Sequence, residues 1–147
     1  MNLLYGHNDV VAAWVAAHIP GCERGFDRPV AIGVLDGERL IGGTVFHNYQ
    51  PEAGVIEMSS AGASPRWLSR PMLKAIFGYV FDQIACQMVV MRVSERNERM
   101  IGIARKFGFD GTLIPRLRGR DEAEWIFTLT DEQWRQHPLA RSTHGQA

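Results

Sequence analysis

The chain has 147 residues, 46% of them apolar, enough for one domain with a hydrophobic core. No apolar run is long enough to span a bilayer, and two cysteines, Cys22 and Cys86, provide neither a disulfide framework nor a ligand-spaced metal pair. The formal net charge is zero, which gives no bulk attraction to nucleic acid.

The first residues lack the basic leader of a signal peptide, so a cytoplasmic protein with reduced thiols is expected. Asn8 or Asp9 can cap a first helix over residues 10–19, which Pro20-Gly21 ends. "PVAIGVLDGERLIGGTVFHNY" predicts two strands around the Asp36-Gly37 turn. Gly42-Gly43 inside the second predicts a bulge or a close backbone contact. "GVIEMSSAG" is a further strand. A helix follows over residues 71–85, with Pro71 at its first position, where a missing N–H costs nothing. Ile76, Phe77, Val80, Phe81 and Ile84 form its apolar face.

"MVVMRV" is a nearly continuous apolar run, as in a strand buried on both faces. Strand, helix and strand make a βαβ unit with parallel strands. Asn97 opens a second helix that ends in Arg105, Lys106 and a left-handed Gly108. "LIPRL" and "AEWIFTL" read as closing strands, and Thr130 with Gln133 as a capping box. The order is α-β-β-β-α-β-α-β-β, a mixed-sheet α/β fold. Residues 1–136 form the single domain expected, with residues 137–147 as a flexible tail.

Several residues can carry chemistry. Glu57 lies within an apolar strand. A carboxylate there is either a structural or solvated charge, or a general base whose burial raises its pKa toward a useful range. "SPRWLSRPML" stands at a strand-to-helix junction, a natural phosphate site, yet holds no glycine; it offers Arg66, Ser69 and Arg70 instead. Trp67 between them either shields a ligand or plugs the core. Tyr49 and His47 follow the third strand and can face a substrate. His18, His137 and His144 lack metal-ligand spacing, so no metal is expected. Residues 92–120 hold eight Lys or Arg against three Asp or Glu, a bias compatible with an anionic ligand or a solvated face.

The element order, with Asn97 and "RKFGF", resembles the GNAT superfamily of acyl-CoA-dependent N-acetyltransferases over residues 30–129. Within it, residues 67–93 resemble a group of small phage- and prophage-encoded proteins. The resemblance implies a mixed, mostly antiparallel sheet with a parallel βαβ core and flanking helices. It also implies acetyl-CoA as cosubstrate, direct transfer to an amine in a ternary complex, and Glu57 as the catalytic base. The pantetheine arm would lie along Met58, Ser59 and Ser60, near Asn97. The pyrophosphate loop would be Arg66, Trp67, Leu68, Ser69, Arg70 and Pro71, with Ser69 and Pro71 in place of the family's small residues. The tyrosine that often serves as general acid is replaced by Ala104.

The acceptor is expected to be a small-molecule or protein amine, with no membrane and a homodimer allowed. Two alternatives remain: an enzyme of this fold that modifies nucleic acid, and a catalytically impaired CoA-binding or interaction module.

Overall fold

The Asp36-Gly37 turn closes a hairpin in which Gly37 takes φ 64°, a region open to glycine without strain. Strands β2 (Val30–Asp36) and β3 (Arg39–Gln50) flank it. They belong to a seven-stranded sheet with β1 (Asn2–Leu4), β4 (Val55–Gly62), β5 (Met88–Ser94), β6 (Asp110–Ile114) and β7 (Glu124–Thr130). The order across the sheet is β1-β2-β3-β4-β5-β7-β6, and only β4 and β5 run parallel. The structure, a computed structural model, describes residues 1–144. The last three residues of the expected tail lie outside them.

Helix α1 (Asn8–His18) covers one face of the sheet, where Val11 and Val15 are fully buried with Ala31 and Val45. The other face packs under α2 (Arg70–Phe77), α3 (Glu98–Phe107) and α4 (Asp131–Gln136). Phe77 stands at the centre of that layer, with ring centroids 4.6 Å from Phe107 and 5.4 Å from Trp134. Each such buried side chain contributes about 1.5–3 kcal/mol. Among the described residues no helix is long and apolar enough to cross a membrane.

Some expectations change. Strand β1 was not expected, because three residues are too few for a period to show. Asn8 does not cap α1; its Oδ1 accepts the N–H of Ala31, fastening the helix start to β2. Pro71 occupies the second position of α2, after Arg70. The long helix widens at Gly78 into a π turn (Gly78–Gln83), in which the Ile84 N–H donates to the Tyr79 carbonyl five residues back. Gly78 lowers the cost of leaving regular α geometry. The first closing strand starts earlier than "LIPRL" and stops at Ile114, since Pro115 has no N–H for a ladder.

The tail is a further helix, α5 (Pro138–His144), with Leu139 and Ala140 in the core. Its polar residues hid this short apolar contact. The predicted caps at Asn97 and Thr130 and the left-handed Gly108 (φ 113°) are present.

Candidate active site

The parallel pairing of β4 with β5 runs from Val55↔Met88 to Met58↔Met91 and then stops, although both strands continue. The strands therefore diverge beyond Met58, and the main-chain groups of β4 that face β5 there have no β5 partner. A cleft of about 750 Å³ opens at this gap. It is lined from both faces of the sheet: His47, Glu57 and Ser59 on the α1 side, Ser60 and Met91 on the other. Two ligands approaching from opposite faces can meet in it.

The registers place the polar groups. His47 stands opposite Glu57, and Glu57 opposite Val90, so alternation puts His47, Glu57, Ser59, Arg92 and Ser94 on one face. Regular β3 pairing is interrupted just past His47, where Asn48 takes φ 51°. Bulges of this kind re-aim side chains. His47 Nε2 lies 2.9 Å from Ser59 Oγ and 3.8 Å from Glu57 Oε2, and Phe26 packs on the ring at 4.7 Å.

Burial holds the His47 pKa below its ordinary value, against the opposing pull of the Glu57 charge, so the imidazole is neutral at pH 7. The nearby carboxylate favours the tautomer with a proton on Nε2. The Glu57 and His47 side chains are 17% and 14% exposed, open enough for a substrate to reach.

The opening junction is built differently from a glycine loop. After β4 a single 3₁₀ turn (Pro65–Trp67) leads to Ser69, the N-cap of α2. Ser69 Oγ accepts the N–H of Met72 at 3.3 Å, which leaves its own O–H able to donate. Pro71 has no N–H to offer. Arg66 and Arg70 are exposed, and neither has an ion-pair partner among the described residues.

Trp67 is 4% exposed, with its ring over Gly42 and Gly62, where any Cβ would collide with the indole. The bulge expected at Gly42-Gly43 is present just before Gly42, where the β2–β3 register shifts between Val34 and Leu35. The close contacts at the two glycines are with side chains rather than backbone, Trp67 on one face and Val11 on the other. Trp67 anchors the loop to the sheet and shows a ligand little surface. Leu68 is half-buried beside Met58 and Ser60 in a small apolar hollow between α2, α3 and the sheet. Ser60 Oγ is 2.8 Å from Thr44 Oγ1. Asn97 caps α3 by accepting the N–H of Met100, and its amide NH2 remains beside the cleft.

Of the two β3 candidates only His47 lines the cleft; Tyr49 is 48% exposed at the strand end. Tyr79 packs on Phe46 at 4.8 Å. Ala104 is buried.

The charge bias of residues 92–120 looks different in three dimensions. Glu124, 1% exposed, takes Arg92 Nε at 2.6 Å and Arg118 Nη1 at 2.9 Å. Glu122 takes Arg96 and Arg118. Arg105 lies over the Trp125 ring at 4.6 Å. Three of the eight cations are thus paired with carboxylates that follow the run in sequence. Residue counting could not show this network, though Glu124 inside "AEWIFTL" was its signal.

A mixed sheet with one parallel pair, splayed where a cleft crosses it, is the GNAT acyltransferase fold. Solved structures agree. A GCN5-related N-acetyltransferase from Brucella melitensis matches 80% of this chain and 57% of its own, at TM-score 0.65 and 21% identity. A variant of the spermidine N-acetyltransferase SpeG from Vibrio cholerae matches 92% of this chain and 98% of its own, at TM-score 0.71 and 11% identity. The chain spans less than two thirds of the length of the Brucella protein. At these identities the likeness is one of fold. No protein-family model and no curated protein matches the sequence.

Proposed function

We propose that the protein is an acetyl-CoA-dependent N-acetyltransferase that passes the acetyl group directly to an amine in a ternary complex. The observation that carries this reading is the cleft through the sheet where β4 leaves β5, with the Glu57 carboxylate at its edge. The pantetheine arm would pair with the main chain of Met58, Ser59 and Ser60, an added strand made by a ligand. The Asn97 amide and Leu68 flank that path. Arg66, Arg70 and the Ser69 hydroxyl would hold the pyrophosphate, since forked guanidinium groups suit phosphate oxygens. Trp67 keeps this loop in place.

In the reaction the amine nitrogen attacks the thioester carbonyl, a main-chain N–H near Met58 holds the oxyanion, and the C–S bond breaks. Glu57 takes the amine proton, directly or through a water, while His47 and Ser59 fix its surroundings. With Ala104 on α3, no tyrosine there protonates the leaving thiolate, and solvent supplies that proton. Holding the two reactants together supplies most of the acceleration.

Kinship with the small phage- and prophage-encoded group rests on the sequence of residues 67–93 alone. A second reading, a CoA-binding module without turnover, is favoured by Ala104 and by Pro71 in the loop.

Free CoA thiol released from acetyl-CoA over a panel of amines tests the proposal. Release that depends on the amine, from the first turnover onward, supports it. Acetyl-CoA binding without release over the whole panel supports the second reading.

A further inference from the structure

The side chains that face the acceptor are not those of a polycation site. The charged groups lining the cleft are Glu57, Glu122, Glu124, Arg92, Arg96 and Arg118, three of each sign. A pocket for a polyamine needs an excess of negative charge, because each bound ammonium must be matched. Here Glu122 and Glu124 are each held by two arginines, and Glu57 is the lining carboxylate with no arginine on it. One ammonium group has a place, beside Glu57.

Arg92 provides the second half. Its Nε is fixed on buried Glu124, whose other oxygen is held by Arg118. Its two Nη nitrogens donate no hydrogen bond among the described residues, and the side chain is 45% exposed in the cleft. A guanidinium anchored at one nitrogen, with the outer pair open, is pre-set for a planar carboxylate. Arg92 follows by two residues the position that pairs with Glu57. That offsets the two residues by about 7 Å along the strand direction, on neighbouring strands.

We infer that the acceptor is a small zwitterion, an amine that also bears a carboxylate, with the amine at Glu57 and the carboxylate at the outer nitrogens of Arg92. The inference rests on the acetyltransferase reading for the fate of the amine, but not for its binding.

Its test is therefore made on binding, with the full chain, by ligand-observed NMR titration with and without coenzyme A. The probes are lysine against cadaverine, 5-aminopentanoate against butylamine, and spermidine. The carboxylated member of at least one pair should bind about ten-fold or more tighter than its decarboxylated partner. Arg92→Gln should abolish that preference. Arg92→Lys, which keeps the charge and loses the fork, should weaken it and serves if the first variant does not fold. Equal or tighter binding of the decarboxylated amines or of spermidine overturns the inference, as does a preference that survives both variants or no binding by any probe. A separate acetyl-CoA titration tells the two readings apart. A carboxylate preference without acetyl-CoA binding would leave the zwitterion site standing and remove the cosubstrate.

Discussion

At the scale of single residues, the weight falls on Glu57 and what surrounds it. Glu57→Gln keeps size and polarity but cannot take a proton. It should lower kcat for acetyl transfer about 10²–10⁴-fold, the usual worth of a general base, while acetyl-CoA affinity stays unchanged by calorimetry. An unchanged kcat would remove Glu57 from the mechanism.

His47 carries a prediction about stability. Burial is the main cause that holds both His47 and His137 below their ordinary 6.5. Above that pH both are neutral whether the chain is folded or not. Below it the unfolded chain takes the protons first, so folding stability should fall as pH drops through 6.5 toward the lower folded values. Urea unfolding across that range should show the fall, and His47→Gln should make it shallower. Glu57 was legible in the sequence as one charge in an apolar strand. His47 was only a candidate, because its tie to Glu57 and Ser59 is made across two strands and depends on their register.

Among the elements, the junction between β4 and α2 departs most from a glycine-rich phosphate loop. Trp67 lies in the space that the missing side chains of Gly42 and Gly62 leave open, and so fixes where Arg66 and Arg70 stand. Adding a methyl group at either glycine would force the indole out. Gly62→Ala should cost about 1–3 kcal/mol in denaturant unfolding, as overpacking does, and should weaken acetyl-CoA binding as well. Unchanged stability would mean the loop is held by something else.

The hairpin, the parallel unit and the caps of α3 and α4 were readable because each rests on a local rule: a turn dipeptide, an apolar run, a capping side chain. The π turn, β1 and α5 were not. Each is set by packing against distant residues, and none leaves a period long enough to read.

Across the whole molecule, Arg118 joins parts that are far apart in sequence. From the turn between β6 and β7 it reaches Glu122, Glu124 and the carbonyl of Pro20 in the loop after α1. It thereby ties the loop after α1 to the β6–β7 turn along one wall of the cleft. Arg118→Ala should destabilise the fold by about 2 kcal/mol, less than the roughly 3–5 kcal/mol of an orphaned buried charge, because Arg92 still holds Glu124. It should also raise KM for the acceptor more than KM for acetyl-CoA. An equal rise in both would make it a purely structural residue.

The architecture was legible almost entirely from element order, but the ion-pair network was not. Its members lie in separate segments, and the charge count along residues 92–120 left out the carboxylates of Glu122 and Glu124, on which the structure pairs three of those arginines. We propose that the splayed cleft and the neighbouring loop with Arg66 and Arg70 together bind acetyl-CoA. Isothermal titration of the protein with acetyl-CoA tests it most directly. Binding should saturate and weaken about ten-fold or more in Arg66→Ala or Arg70→Ala, the loss expected of charge-assisted bonds to phosphate. No heat of binding at high micromolar acetyl-CoA, or binding indifferent to both arginines, would contradict it.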